Sequence, residues 1–372
     1  MSLPFALNPV LQQLPVYQPG RPVAEVAREL GLPDRRIIKL ASNENPLGPS
    51  PAALAAMKRA ARQAYLYPDG NAFYLKQKLA ASLQVEPANL ILGNGSNDII
   101  EFLGHALMGP GDEVIVSEFC FAIYPIVARL FGANVITVPA KNHGHDLPAM
   151  GNAITARTKV LFVANPNNPT GTLAPPEEVR GLIQRTPAHV VLVMDEAYIE
   201  FLEEPLNLVP LVCSTPNLVL MRTFSKIHGL AGLRLGYGIG HPEFIAALEK
   251  IRQPFNINSL AQAAGLAALD DLEHVRKTRE NNFQGRKFMQ DAFAQMGLPF
   301  VPSFANFVLV QVGQGQLVFE EMQKQGVITR PMGGYQLPEW IRISIGTPRE
   351  NHRAVKTLKR VLKTIRKAAA PA

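Results

Sequence analysis

Lys226 stands in the string Met221-Arg222-Thr223-Phe224-Ser225-Lys226-Ile227-His228-Gly229-Leu230-Ala231-Gly232-Leu233-Arg234-Leu235-Gly236. The apolar run 218–221 ends in two hydroxyl residues, Thr223 and Ser225, and the amine comes next. Glycines and Arg234 follow. A strand end holds such a lysine rigidly. The hydroxyls and the guanidinium are suited to grip a phosphate, and the small residues permit close approach. An amine in that setting can condense with an aldehyde to form a Schiff base. The ordinary alternative is a surface lysine after a strand, so the neighbouring strings have to decide.

Two upstream strings point the same way. Val190-Val191-Leu192-Val193-Met194 reads as a strand buried on both faces. It delivers Asp195 at its carboxyl end, where open α/β sheets bind ligands. A buried carboxylate needs a cationic partner. The protonated ring nitrogen of pyridoxal 5′-phosphate is one, and the carboxylate keeps the ring electron-poor. Tyr198, three residues on, is within reach of the ring's phenolic oxygen. A helix N-cap is the plain alternative for Asp195. The second string, Asn165-Pro166-Asn167-Asn168-Pro169-Thr170-Gly171, makes a stiff turn after the apolar run 160–164. From it Asn168 can offer its amide to the same oxygen.

Taken in order, NPNNPTG, DEAY, RTFSK and GLRLGYG resemble the fold-type-I pyridoxal-phosphate aminotransferases over residues 165–238. The strings IKLASNENP (38–46), YPDG (67–70), GNGSND (93–98), RPM (330–332) and LPEWIRISIGT (337–347) resemble the histidinol-phosphate aminotransferase branch of that family. The resemblance implies an α/β fold with a large domain, a mostly parallel sheet flanked by helices, and a small α+β domain. It implies Lys226 as the Schiff-base residue, Asp195 at the ring nitrogen, and Asn168 and Tyr198 at the ring oxygen. Tyr67 corresponds to a tyrosine that reaches the phosphate of a neighbouring subunit's cofactor, so a homodimer with shared sites is expected. Phe121, in FCFAIY, takes the place of an aromatic that stacks on the ring, though many relatives carry a Pro-Thr-Tyr string there and core packing is the alternative. Tyr17, Asn43, Arg330 and Arg342 match substrate-contacting positions. The implied reaction converts imidazole-acetol phosphate and L-glutamate to L-histidinol phosphate and 2-oxoglutarate, in histidine biosynthesis. An aromatic amino-acid aminotransferase on the same scaffold stays open.

The residues carry a phosphate site of their own. Gly95-Ser96-Asn97 opens a helix-like stretch through Ile99, Ile100, Leu103 and Leu107. Backbone N–H groups at such a start attract an anion. Thr223, Ser225 and Arg234 complete the expected cup. Arg342, inside an apolar run, is poorly placed to be buried alone; a bidentate fork to a substrate carboxylate or phosphate explains it, with an internal ion pair as the alternative. His143 and His145 flank Gly144 and read as exposed loop histidines, so no metal site is expected. Gly236, Gly238 and Gly240 lack the spacing and the acidic residue of a dinucleotide loop.

Composition bounds the remaining classes. A chain of 372 residues, 47% apolar and 18% charged, is globular and long for one core. No apolar run nears the ~20 residues of a membrane helix. No signal peptide is visible, and two cysteines give no disulfide framework, which suggests the cytoplasm. The net charge of +7 lies wholly in 349–367, where eight Lys and Arg face one acid, Glu350. Ala354, Leu358, Val361, Leu362 and Ile365 share one helical face there. That pattern predicts a packed carboxyl-terminal helix with a solvated basic side rather than a nucleic-acid surface.

Strands are predicted at 90–92, 113–116, 134–138, 160–163, 190–194, 218–221 and 233–238, joined by helical crossovers. They place a large cofactor domain at 46–258. A long helix at 260–293, strands at 307–312 and 341–345, and the basic helix follow. By resemblance, residues 1–45 join 259–372 in the small domain.

Overall fold

The computed structural model describes residues 5, 7–12, 14–16 and 20–369. Short apolar runs form a seven-stranded sheet. In chain order its strands are Leu90–Gly93, Glu113–Ser117, Asn134–Val138, Thr158–Ala164, Val191–Asp195, Leu218–Thr223 and Gly236–Ile239. In space the order is first, seventh, sixth, fifth, fourth, second, third. Every pairing is parallel except those of Gly236–Ile239, which runs antiparallel to both neighbours.

Side chains alternate across this sheet with the period of two that a strand imposes. Leu161, Val163, Leu192, Met194, Leu218 and Leu220 pack into one core with the helices Phe73–Leu83, Pro176–Arg185 and Ser259–Ala268. Val160, Phe162, Val193, Val219 and Met221 pack into the other with Ser96–Leu107, Ile123–Leu130 and Pro242–Glu249. The parallel strands therefore end together, at Ala164, Asp195 and Thr223, on one edge of a sheet covered on both faces.

Two predicted elements are corrected. The last strand begins at Gly236 rather than at 233. Leu233 closes a 3-10 turn, Ala231–Leu233, and Arg234 takes φ 57°, a left-handed conformation no strand contains. The single helix expected at 260–293 is two, Ser259–Ala268 and Leu272–Gln295. Asp271 starts the second by accepting the His274 backbone N–H at 3.1 Å, an N-cap inside what looked like one periodic run.

A second, antiparallel sheet runs in the order Arg330–Pro331, Trp340–Ser344, Phe307–Gln311, Phe300–Val301. Val308, Val310, Ile341 and Ile343 face a core shared with Met289 and Phe293 of Leu272–Gln295 and with the carboxyl-terminal helix Pro348–Ala369. That helix buries Ala354, Leu358, Val361 and Leu362 and turns its charges outward. Arg342 and Ser344 point the opposite way. The strand Ile38–Lys39 pairs in parallel with Val327–Ile328 and ties the segment before residue 46 to this part of the chain. Among the described residues no helix is long and apolar enough to cross a membrane.

Candidate active site

The common carboxyl edge of the parallel strands opens into a cavity of about 270 Å³. Ser96, Asn97, Phe121, Asn168, Asp195 and Tyr198 line it from the large sheet and its loops. So do Thr223, Ser225, Lys226 and Arg234. Asn43, Arg330 and Arg342 close it from the other side. Gly95 lies directly behind this lining. Tyr17 lies outside the described residues. Tyr67 is not at the cavity of its own chain: it is 83% exposed and stacks on Phe255 at 4.8 Å.

Asp195 ends the strand Val191–Asp195 and is 6% exposed. Burial raises its carboxyl above the ordinary range. Three contacts oppose that rise: the Tyr124 hydroxyl donates to Oδ2 at 2.6 Å, the Ala197 N–H donates to Oδ1 at 3.1 Å, and the Lys226 charge lies nearby. Tyr124 is fully buried, stacked on Phe162 with ring centroids 4.5 Å apart. Sequence reading passed over Tyr124. It is the second residue of the helix Ile123–Leu130, and only the fold brings it to a carboxylate 71 residues away. On the other face of the sheet, Glu196 and Arg222 form a buried ion pair at 2.8 Å. It fastens the strand end carrying Asp195 to the strand that leads to Lys226.

The anion cradle is built from backbone first. Gly95 takes φ 85° before the helix Ser96–Leu107, whose start has no side-chain cap and whose first residues, Ser96 and Asn97, line the cavity. Neither glycine beside it tolerates a side chain. A Cβ on Gly95 would meet Arg234 Nη2 at 2.3 Å, and one on Gly236 would meet the Ser96 backbone nitrogen at 2.4 Å. The left-handed turn at Arg234 swings its guanidinium back, where Nη1 donates to Ser225 Oγ at 3.3 Å and to the Ala231 carbonyl at 3.1 Å. The Ser225 N–H donates to Thr223 Oγ1 at 3.1 Å. Helix N–H groups, two hydroxyls and a guanidinium converge, a donor set suited to a phosphate.

Lys226 Nζ lies 3.3 Å from the Asn43 carbonyl and 5.6 Å from the Tyr198 ring centroid. Its loop is pinned from behind. Asn45 Nδ2 donates to the Ile227 carbonyl at 2.9 Å and to Thr278 Oγ1 at 3.1 Å, while a Cβ on Gly229 would strike the Gly48 carbonyl at 2.2 Å. Tyr198 is buried, and burial pushes its phenol up to about 12, so it stays protonated. Asn168 Oδ1 accepts a hydrogen bond from Arg342 Nη1, which leaves the Asn168 amide N–H groups to donate elsewhere. Phe121 meets Tyr124 edge-on at 5.5 Å and presents its ring to the cavity.

Arg330 and Arg342 are register partners on adjacent antiparallel strands. Two guanidiniums directly opposite each other repel unless an anion lies between or before them. Arg342 Nη2 also donates to the Ala41 carbonyl at 3.0 Å, and its guanidinium lies 5.0 Å from the Phe307 ring centroid. These contacts of Arg342 thus run to two amide oxygens and an aromatic ring. His145 is not the exposed residue that was expected. It is half-buried, its Nε2 bonds the Ala164 carbonyl at 2.9 Å, and burial lowers it to about 4. Among the described residues no group of three His, Cys, Asp or Glu side chains is placed to hold a metal ion.

Comparison with known proteins follows this geometry. The family model for aminotransferase class I and II matches residues 35–358. A histidinol-phosphate aminotransferase of Akkermansia muciniphila is 49% identical over 363 residues, 97% of this chain and 100% of its own length. A histidinol-phosphate aminotransferase 2 of Ralstonia nicotianae is 49% identical over 375 residues, 99% of this chain and 100% of its own. Among solved structures, the histidinol-phosphate aminotransferase of Sinorhizobium meliloti in complex with pyridoxal-5′-phosphate superposes with a TM-score of 0.89. It is 29% identical, covering 96% of this chain and 98% of that one. An aspartate aminotransferase double mutant of Thermus thermophilus reaches a TM-score of 0.81 at 27% identity, over 96% and 100% of the two chains.

Proposed function

The chain belongs to the class I and II aminotransferases, and from that membership we infer that it is a pyridoxal-phosphate-dependent transaminase of histidine biosynthesis. It carries an amino group from L-glutamate to imidazole-acetol phosphate, yielding 2-oxoglutarate and L-histidinol phosphate. The observation that carries the reading is near-full-length identity of 49% to histidinol-phosphate aminotransferases. The facing pair Arg330 and Arg342 supports it. A phosphate dianion matches two guanidiniums, whereas an aromatic amino acid brings one carboxylate and satisfies only one.

The residues fit the cofactor. When bound, pyridoxal 5′-phosphate supplies an electron-poor ring that accepts the electron pair left as the substrate's C–H bond breaks. Ser96, Asn97, Thr223, Ser225 and Arg234, with Gly95 behind them, hold its phosphate. The Asp195 carboxylate would pair with the ring nitrogen and keep it protonated. Tyr198 and Asn168 would donate to the ring oxygen, and Phe121 would cover the ring. Lys226 Nζ would carry the covalent link to the cofactor, and as a free amine it would take the proton from the substrate's nitrogen-bearing carbon as base and give it up to the cofactor as acid. Arg330, Arg342 and Asn43 seat the substrate, with Tyr17 from the amino-terminal segment.

We assign the cofactor to a large domain at 46–258 and the second sheet to a small domain of 1–45 and 259–372. The seven-stranded sheet lies wholly inside the first range, and the pairing of Ile38–Lys39 with Val327–Ile328 supports the second. We place the enzyme in the cytoplasm, in keeping with its two free cysteines, Cys120 and Cys213.

The test is a half-reaction. Protein loaded with cofactor is mixed with L-histidinol phosphate or with L-phenylalanine, and loss of the visible band is followed. The expected second-order rate constant is about 10- to 100-fold greater for histidinol phosphate, since phenylalanine's single carboxylate leaves one of the two guanidiniums unsatisfied. The reverse preference would make this an aromatic aminotransferase.

The surface supports a dimer. Tyr65, Leu66, Tyr67, Phe73, Tyr74 and Phe255 are all exposed, between 46% and 83%. Such a concentration of aromatic side chains marks a contact surface. A second copy covers it and receives Tyr67 at its phosphate cradle. Light scattering at micromolar concentration should therefore give twice the chain mass, and Tyr67→Ala should weaken cofactor binding about tenfold, the worth of one hydrogen bond to a charged oxygen. A fully active monomer would overturn this arrangement.

A further inference from the structure

Ser344 lies two residues beyond Arg342 on the same face of Trp340–Ser344 and is 3% exposed. Its hydroxyl accepts the backbone N–H of Asn43 at 2.9 Å and donates to Asn43 Oδ1 at 2.9 Å. That pairing fixes the orientation of the Asn43 amide. Turned over, the amide would present its NH₂ to Ser344 and leave the buried hydroxyl hydrogen without an acceptor. As oriented, Asn43 Nδ2 donates to Tyr198 Oη at 3.0 Å. The phenol oxygen is thereby an acceptor toward Asn43, and its own hydrogen is left for the cavity.

Asn43 is held in this role by its backbone. It sits at φ 55°, and its carbonyl receives Asn306 Nδ2 at 3.0 Å. Asparagine tolerates the left-handed region better than most residues and carries the donor and acceptor that the two neighbours require.

We propose that Ser344 is a positioning residue: acting through Asn43, it aims the Tyr198 hydroxyl at the cofactor's ring oxygen and so couples the substrate-seating strand to the cofactor. The proposal rests on the cofactor assignment above. It gives one strand two tasks, since Arg342 receives the substrate's anionic group and Ser344 sets the donor opposite. The charged groups facing Tyr198 are Asp195 at the end of Val191–Asp195, Lys226 beyond Leu218–Thr223, and Arg342 on Trp340–Ser344. None of them replaces the amide.

A donor at the ring oxygen stabilises its anionic form, so the bound chromophore takes up its proton only at lower pH. The experiment titrates the visible band of cofactor-loaded protein with pH. In Ser344→Ala the midpoint should rise by about half a pH unit or more, kcat should fall about tenfold, and KM for histidinol phosphate should change less than about twofold. Ser344→Thr, which keeps the hydroxyl, should titrate as the parent does. Asn43→Asp replaces the donor to Tyr198 by an acceptor and should shift the midpoint in the same direction. Adding Ser344→Ala to Tyr198→Phe should give no further shift. An unchanged midpoint in Ser344→Ala, or an equal shift without the phenol, overturns the coupling while leaving the transaminase reading intact. A parent protein with no visible band overturns both.

Discussion

Lys226→Ala loses the visible band of the loaded protein and at least about 10⁴-fold of turnover, because covalent attachment and proton transfer disappear together. Lys226 is the only lysine among the described residues that line the cavity. No neighbour can take over its work. The carbonyls of Asn43 and Ser42 lie 3.3 and 3.4 Å from Nζ, and neither carries a proton. Arg234 is committed to Ser225 and Ala231. Lys226→Arg should therefore fail as completely as the alanine variant, although it keeps the charge. The loop should survive both changes. Asn45 still holds the Ile227 carbonyl and Gly229 still packs on Gly48, so far-ultraviolet circular dichroism and melting should match the parent. Turnover retained within about tenfold in either variant would remove Lys226 from the chemistry.

The ease of reading Lys226 from sequence, and the difficulty of reading Ser344, have one physical origin. Lys226, Asp195 and Asn168 stand at or just beyond the carboxyl ends of single buried strands, so a local run of apolar residues announces where each side chain emerges. Arg342 is legible for a related reason: a charge inside an apolar strand calls for an explanation. The sheet, mostly parallel with helices on both faces, is legible from the alternation of such runs with helical stretches. Ser344, Tyr124 and Asn45 carry no such signal. Each is a common residue in an ordinary place, and its contacts span 301, 71 and 182 residues of chain. No periodicity encodes a partner at that distance. The two misplaced boundaries are backbone effects of the same kind. Arg234 takes a left-handed turn that brings its guanidinium to Ser225, and Asp271 interrupts a helical pattern only by capping its second half. His145 looked solvated because glycine and a neighbouring histidine suggest a loop, yet the Ala164 carbonyl anchors it.

Asp195→Asn separates what this carboxylate does for the fold from what it does for the reaction. Asparagine has the same shape: its oxygen can accept the Ala197 N–H, and the Tyr124 hydroxyl, which bonds the other carboxylate oxygen, can turn to accept from the new amide NH₂. What it cannot supply is the negative charge that keeps the ring nitrogen protonated. Turnover should fall about 10³-fold, roughly 4 kcal/mol of transition-state stabilisation in a water-poor site. Stability of the cofactor-free protein should move the other way. Burial raises the Asp195 carboxyl above its unfolded-state value, with Tyr124 and Ala197 only opposing it. A carboxyl raised on folding costs nothing at low pH, where both states are protonated. The cost grows as pH climbs past the unfolded value of about 3.9, because only the unfolded chain ionises freely. Asparagine is free of that cost, so at neutral pH the cofactor-free variant should melt at or above the parent temperature. Added pyridoxal 5′-phosphate reverses the order: the parent gains a partner for its charge and the variant does not, so the parent shows the larger rise in melting temperature. Melting curves with and without cofactor, read beside turnover, check both halves. A cofactor-free Asp195→Asn protein that melts well below the parent would mean the carboxylate is held chiefly for the fold, and parental turnover would remove it from the ring nitrogen.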